Sequence, residues 1–331
     1  MCWKKCERTK YKEETVEVAI KNDPEEVVES AQCGPFVVVW KSMDEVHYPG
    51  KERRTFRFCR KPVKGSVIID EIIRAQLSEP RFTKRFAALT PRELMLELNA
   101  CINSFQVSEK LPLGQADELC GVRMVVAKEC GSEFQIAYIG DCFAVWETRC
   151  MRSGSGSLRM TENQAYAYNY RMYAMIEKYW NAAASCMKLD PAAVEQGTDQ
   201  WNSLRLEMWR LFGPRLQMER RLHINNPAPP DGHGVMNGQS ESEGFVVESV
   251  IPKLDLEYIL LGNNGCTPWD MEKDVSRQRI ATELSVAANH AYNLQTGIRA
   301  VIAQARWYEN NTKISHAKGG RADAACALIK P

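Results

Sequence analysis

Residues 121–148, GVRMVVAKECGSEFQIAYIGDCFAVWET, decide the fold class. Three short stretches within it, 121–128, 133–139 and 142–148, are rich in β-branched, aliphatic and aromatic residues, which favour strands. The short polar stretches CGS and GD separate them and predict hairpin turns. The segment therefore predicts consecutive antiparallel strands joined by tight turns.

The N-terminal part of the chain combines strand-like and helix-like patterns. Residues 15–21 alternate apolar and polar side chains, and residues 36–40 (FVVVW) form a continuous apolar run, so both predict strands. Residues 22–35 between them predict a turn-rich connection. Residues 66–79 predict a helix with Ser66 as a candidate cap, because apolar side chains recur on one helical face.

Helical patterns also mark three later stretches. A helix is predicted from Thr90, which is a favourable N-cap and precedes Pro91 at the first helical position. Residues 162–222 are helical in pattern with a break near 189–194, and residues 274–309 predict one long helix. Helices and strands are therefore intermixed along the chain.

The remaining pattern consists of strands and one irregular loop. Strands are predicted at 158–161, 245–251, 257–262 and 322–330, whereas residues 224–244 are rich in Pro, Gly and Asn and predict a loop. Because most strands follow one another through short turns, the predicted fold class is α+β, with a mostly antiparallel sheet core flanked by helices.

Length and composition favour one globular unit. The 331 residues can bury a large core, and we expect a single domain spanning 1–331, with 1–14 as an N-terminal tail, 162–222 as its helical segment and 224–244 as an irregular loop. Forty-three basic and 42 acidic residues give a net charge of +1, which excludes a protein that is basic throughout. No run of 18 apolar residues occurs, so we expect no membrane-spanning helix.

Cysteine usage indicates the compartment. The twelve cysteines are scattered, form no C-x-x-C pair and often lie inside apolar runs, as small buried hydrophobic residues do in reducing compartments. The first 14 residues contain no apolar segment of the kind found in secretory signals. We therefore expect an intracellular, reducing location, with the cytoplasm favoured and the mitochondrion as the second choice.

Five segments occur in the order found in one known family. They are FVVVWKSMDE (36–45), QIAYIGDCFAVWE (135–147), GHGVMNGQSESEGFVVES (232–249), LDLEYILLGNNGCTPWD (254–270) and KGGRADAACALIKP (318–331). Together they resemble the type-2C, metal-dependent protein phosphatases. The resemblance implies a four-layer α-β-β-α fold, an antiparallel β-sandwich with helices on both outer faces. It also implies that the helices at 66–105, 162–222 and 274–309 cover those faces.

The same resemblance implies a metal centre that this sequence lacks in part. The family holds two divalent cations, magnesium or manganese, with carboxylates, and these ions generate the attacking hydroxide. At the matching positions this chain has Lys41, Asn264 and Ala322. A charged ammonium group has no lone pair to offer a cation, Asn is a weaker ligand and Ala is none. The residual acidic candidates are Asp44, Asp141 and Asp323.

Two functions remain open on these residues. The first is a catalytically inactive pseudophosphatase without metal or other cofactor, which works by binding as a scaffold or structural subunit of an intracellular protein complex. The alternative is an active, divergent serine/threonine phosphatase that uses magnesium or manganese. In that case Asp44, Asp141, Asp323 and Glu14 would have to rebuild the metal site, with Asp44 reached by a three-residue shift of the alignment.

One local charge cluster indicates a further partner. Residues 51–64 carry Phe56 and Phe58 among basic side chains, a composition that suits RNA or an acidic partner surface. A solvated strand or loop explains it equally well. The complex could therefore be a ribonucleoprotein, and no membrane partner is expected. The basic residues of the cluster are Lys51, Arg53, Arg54, Arg57, Arg60, Lys61 and Lys64.

Overall fold

The fold is given by a computed structural model of the chain. It describes residues 15–20, 27–43, 55–58, 61–78, 85–149, 156–195, 197–263, 266, 282, 285–286 and 324–329.

The strands of the described residues are numbered in chain order. They are β1 Thr15–Ile20, β2 Val27–Cys33, β3 Phe36–Met43, β4 Phe56–Phe58, β5 Lys61–Val63, β6 Gly121–Cys130, β7 Glu133–Ile139, β8 Phe143–Arg149, β9 Gly156–Met160, β10 Val247–Pro252, β11 Leu256–Gly262 and β12 Ala324–Ile329.

The helices are numbered in the same way. They are α1 Gly65–Ser78, α2 Pro91–Ser108, α3 Tyr166–Cys186 and α4 Asp199–His223, with short 3₁₀ turns at Ala116–Glu118 and Ser240–Phe245.

Two five-stranded antiparallel sheets form the centre of the fold. Their strand orders are β10-β7-β6-β3-β2 and β1-β12-β11-β8-β9. Alternate side chains of β3 and β6, such as Val39 and Val125, join Ile259 and Ala327 of the second sheet in one apolar core. The intervening side chains, such as Trp40, pack against α1 and α2 in a second core. The predicted α+β class, an antiparallel sandwich flanked by helices, is therefore confirmed.

Local signals predicted α2 well. Thr90 Oγ1 accepts from the Glu93 backbone N–H, and the Glu93 carboxylate accepts from the Thr90 N–H, which forms a capping box before Pro91. The helix at 66–79 is also present, but it begins at Gly65, so Ser66 lies inside its first turn and does not cap it.

The helical segment occupies a different place from the one expected. The break near residues 189–194 is present, and α3 and α4 pack on each other around a core of their own that includes Trp180 and Trp201. Arg221 of α4 donates to the buried Asp117 carboxylate and ties this helical hairpin to the sandwich. Contrary to expectation, the two helices thus chiefly cover each other rather than the outer face of a sheet.

Two connections differ from their predictions. Residues 27–33 form the strand β2, which pairs with β3 through a hairpin, so the expected turn-rich connection between 22 and 35 is wrong in this part. The GD turn between β7 and β8 is not a hairpin, because β7 lies in one sheet and β8 in the other. The chain crosses between the sheets at Gly140 and Asp141, and this crossing builds the site described below.

The stretch predicted as a long helix lies mostly outside the described residues. Thr282, Ser285 and Val286 are helical, and the Ser285 hydroxyl donates to the Glu147 carboxylate of β8 at 3.0 Å. None of the eight cysteines in the described part of the chain forms a disulfide. Within the same residues, no helix is long and apolar enough to cross a membrane.

Candidate functional site

Strand alternation directs two cations toward the space between the sheets. Val37 and Val39 of β3 belong to the inter-sheet core, so Lys41 continues the same face of the strand. Arg123 of β6 stands directly opposite Lys41 in the register. Both residues are buried. Like charges at directly opposed positions destabilise a sheet, so this pair requires compensation from acidic groups nearby.

Asp141 provides that compensation for Arg123. The two side chains form an ion pair in which the Asp141 carboxylate accepts from a guanidinium nitrogen. The side chain of Asp141 is 0% exposed and that of Arg123 is 11% exposed. A carboxylate buried to this degree persists only with a partner, because its desolvation is costly.

The turn that carries Asp141 is fixed by its neighbours. Gly140 has φ +76, a conformation that favours glycine, and a Cβ there would lie 2.8 Å from carbons of the Arg123 side chain and 3.0 Å from the Gly234 carbonyl oxygen. The Gly140 N–H donates to Gln164 Oε1 at 2.8 Å. The Arg123 stem is therefore held against the turn, which orients its guanidinium toward Asp141.

The charged groups of this site act on the pKa of the neighbouring Cys142 thiol. Burial raises the pKa of the Cys142 thiol well above its usual range, and the Asp141 carboxylate adds to the rise. The charges of Arg123 and Lys41 oppose the rise in this pKa. Cys142, Asp141, Arg123 and Lys41 thus form one buried group at the end of the sandwich.

The structure brings together two of the residues named from the sequence, Lys41 and Asp141. The other predicted positions, Asn264, Ala322, Asp44 and Asp323, lie outside the described residues, as does Glu14. Next to one of them, Asn263 is fully buried, and its Oδ1 accepts from the Ala325 N–H at 3.1 Å, so the ends of β11 and β12 are joined.

Arg123 is the one site residue that was not predicted from the sequence. In GVRMVVAK, the six residues of 121–127 other than Arg123 are glycine or apolar, and this pattern indicated only a buried strand. A lone arginine in such a strand was itself a signal, because a buried guanidinium requires a carboxylate partner. Finding Asp141 as that partner requires the pairing of β6 with β7 and the crossing to β8.

The structure describes residues 55–58 and 61–64 of the basic cluster. Its backbone forms the two-stranded β4–β5 hairpin, in which Arg57 pairs with Pro62 and Phe58 with Lys61. Lys64 precedes α1, and Lys51, Arg53, Arg54 and Arg60 lie outside the described residues. Phe56 is buried in the core and contacts the ring of Phe105 at 5.2 Å between centroids, so it is not available to stack on a nucleic-acid base.

Comparisons with known proteins find similarity in structure only. No family model and no curated protein matches the sequence. Among solved structures, the serine/threonine phosphatase Stp1 from Staphylococcus aureus has 10% identity and a TM-score of 0.46, over 96% of this chain and 94% of that one. The phosphatase PstP from Mycobacterium tuberculosis has 10% identity and a TM-score of 0.45, over 96% and 97%.

A third solved structure is described as PppA, a key regulatory component of the type VI secretion system in Pseudomonas aeruginosa. It has 11% identity and a TM-score of 0.45, over 96% of this chain and 97% of that one. With identities near 10% and TM-scores below 0.5, these likenesses say nothing about the chemistry of this chain. What this chain does has to be argued from its own residues.

Proposed function

We propose that this protein is a catalytically inactive, phosphatase-like protein that works by binding, as a scaffold or structural subunit of a complex. The observation that carries the proposal is the buried ion pair of Arg123 and Asp141 beside Lys41. The five family-like segments, together with Lys41, Asn264 and Ala322 at positions where carboxylates are expected, support it from the sequence.

The two divalent cations that the resemblance implies do not fit the described residues. Asp141 is already paired with Arg123, and the ammonium group of Lys41 stands on the neighbouring strand opposite Arg123. A divalent ion roughly 5 Å from one ammonium group meets a repulsion of about 7 kcal/mol at an effective dielectric constant of about 20. Of the two Asp141 oxygens, Oδ2 is held by Arg123, so only Oδ1 would be open to a cation, and the Arg123 guanidinium charge would lie beside it.

In this proposal the charges of the protein replace those of the metals. Arg123 holds one oxygen of the Asp141 carboxylate, and Lys41 stands opposite Arg123 on the neighbouring strand β3. The two cations have no lone pair with which to accept a proton from water. The chain then keeps the surfaces of the fold without its reaction, which leaves binding as its function.

The test measures metal binding and turnover on one sample. Manganese is titrated calorimetrically into the purified full-length chain, and hydrolysis of p-nitrophenyl phosphate is followed with and without manganese. We expect no saturable heat in the micromolar range and no manganese-dependent turnover. The matched control is Asp141→Asn, because activity from a contaminating phosphatase would be the same in both preparations.

Micromolar manganese binding with turnover that Asp141→Asn abolishes would overturn the proposal and establish the alternative, a divergent active phosphatase. If turnover is absent, immobilised wild-type chain is then used to isolate stable complexes. Nuclease treatment of these complexes separates protein partners from RNA, for which the basic residues 51–64 remain a proposal. Salt dependence gives a second criterion, since phosphate contacts weaken steeply with ionic strength.

A further inference from the structure

A strap crosses the ends of β6 and β7 next to the buried ion pair. We define it as residues 224–239, which connect α4 with the second 3₁₀ turn. Met236 and Val122 exchange two backbone hydrogen bonds of 2.8 and 2.9 Å, so the strap is joined to the start of β6. A Cβ at Gly234 would lie 2.6 Å from Ile139, so the strap approaches β7 as closely as a glycine allows.

His233 is the most deeply buried titratable group of the strap. It is 0% exposed, and its ring lies 4.3 Å from the ring of Tyr168 between centroids. Neither ring nitrogen has a hydrogen-bond partner of normal geometry among the described residues. Its backbone fastens the strap, since its N–H donates to the His223 carbonyl at 3.0 Å and its carbonyl accepts from the Asn225 N–H at 2.9 Å.

We propose that the strap is an acid-sensitive latch, in which protonation of His233 loosens residues 224–239 from the end of the sandwich. The proposal is independent of the function proposed above, because it concerns the strap and not metal binding. It rests on the position of His233, which is fully buried, lies against the tilted ring of Tyr168 and has no hydrogen-bond partner at either ring nitrogen among the described residues.

The groups around His233 come from every element packed against this part of the strap. Three guanidinium groups face three carboxylates, of which Glu219 and Asp231 share Arg171, so a proton on His233 makes the whole group net positive. These groups are Arg123 of β6, Asp141 of the β7–β8 turn, Tyr168 and Arg171 of α3, Glu219, Arg220 and His223 of α4, and Asp231 of the strap.

His223 is the obvious competitor as the trigger, and its surroundings differ. Its Nδ1 lies 2.6 Å from the Glu219 carbonyl oxygen, and its Nε2 lies 3.0 Å from the Asp231 carboxylate. Arg171 Nη2 also lies 2.6 Å from His223 Nε2, so both ring nitrogens of His223 have polar partners in the closed strap. The ring nitrogens of His233 have none among the described residues, which is why we assign the latch to His233.

The direction of the pH effect follows from the same surroundings. Burial lowers the pKa of His233 well below its usual range, and Arg123, His223 and Arg220 lower it further, whereas the backbone of Asp231 acts in the opposite direction. A freed histidine has a pKa of about 6.5. Below about pH 6.5 the closed strap therefore binds fewer protons than the open strap. The equilibrium constant for opening then rises by up to about tenfold for each unit by which the pH falls.

Hydrogen–deuterium exchange of the full-length chain tests this latch. Exchange is measured by mass spectrometry between pH 5 and pH 8 and corrected for the intrinsic pH dependence of amide exchange. We expect peptides from 224–239 to lose protection progressively below about pH 6.5, while peptides from the β6–β7 hairpin keep theirs. In His233→Phe and His233→Gln, which do not titrate, the same peptides should show no such loss.

The matched control is His223→Gln, which should keep the acid-induced loss of protection. The proposal is overturned if the two His233 variants lose protection as wild type does, or if the strap and the hairpin open together. A second measurement does not depend on the variants folding. In wild-type protein with isotope-labelled histidine, an NMR signal of His233 that titrates near pH 6.5 while the strap stays protected would also overturn it.

Discussion

Replacing Asp141 with Asn removes the negative charge from the buried ion pair while keeping the side-chain volume. The carboxylate is 0% exposed and its partner Arg123 is 11% exposed, so the remaining guanidinium charge cannot regain its hydration without opening the turn. Removing one partner of a buried pair typically costs about 3–5 kcal/mol. Because the Asn carbonyl can still accept one hydrogen bond, we expect a loss of about 3 kcal/mol in the free energy of unfolding.

The assay is urea unfolding followed by circular dichroism, with linear extrapolation to water. An exposed ion pair supplies the control, because Glu97→Gln breaks the contact of Glu97 with Arg85, whose side chains are 39% and 58% exposed. That change should cost less than about 1 kcal/mol. In Arg123→Met combined with Asp141→Asn, both charges of this ion pair are removed together, so the double variant should be more stable than the sum of the single losses predicts.

Two results would contradict a stabilising ion pair between Arg123 and Asp141. The first is that Asp141→Asn lowers the free energy of unfolding by less than about 1 kcal/mol, which is the contribution of an exposed ion pair. Strict additivity in the double variant would mean that Arg123 and Asp141 do not stabilise each other, and the proposed replacement of metal charges by an internal pair would lose its physical basis.

Two further predictions concern neighbouring residues. Gly140→Ala should lower the free energy of unfolding by about 3 kcal/mol, because a Cβ would meet Arg123 carbons at 2.8 Å in a left-handed turn. Gly131→Ala, with φ +55 and no atom within 4 Å, should lower it by about 1 kcal/mol. Urea unfolding of both variants measures the difference. Burial raises the pKa of the Cys142 thiol, so its thiolate is scarce, and a thiol reagent at pH 8 should label the exposed Cys186 well before Cys142. Equal labelling rates by mass spectrometry, or equal costs for the two glycines, would contradict these predictions.

The fold was predictable where the signal is local. The capping box at Thr90 and the apolar runs of β3 and β6 specify their elements through neighbouring residues alone. β2 was missed because VVESAQC has a weak alternation and becomes a strand through its pairing with β3. The turn at Gly140 was misassigned because two residues can either reverse a strand or pass the chain to the other sheet, and distant packing decides between them.

From the sequence, the candidate site could be predicted only as a set of positions where other residues replace the expected carboxylates. The sequence located Lys41 and Asp141 by their place in family-like segments, and the lone arginine in an apolar strand indicated a buried guanidinium, but neither pattern identified Asp141 as the partner of Arg123. An ion pair between residues 18 positions apart depends on strand register and on the crossing turn, and both are set by the whole sandwich. Charge compensation is therefore a property of the fold, even though each charge is visible in the sequence.

This compensation changes what the end of the sandwich can do. A metal centre keeps several carboxylates close together, and their mutual repulsion is relieved when cations bind. In this chain the described carboxylates Asp141, Asp231 and Glu219 are each bonded to a guanidinium group from a neighbouring strand or helix. These ion pairs hold the region together through the protein's own charges, and a cation that entered would meet guanidinium groups beside each of these carboxylates. Under the proposed binding function, partners would use the outer surfaces of the domain, and the strap next to Arg123 is the segment through which acid would alter them.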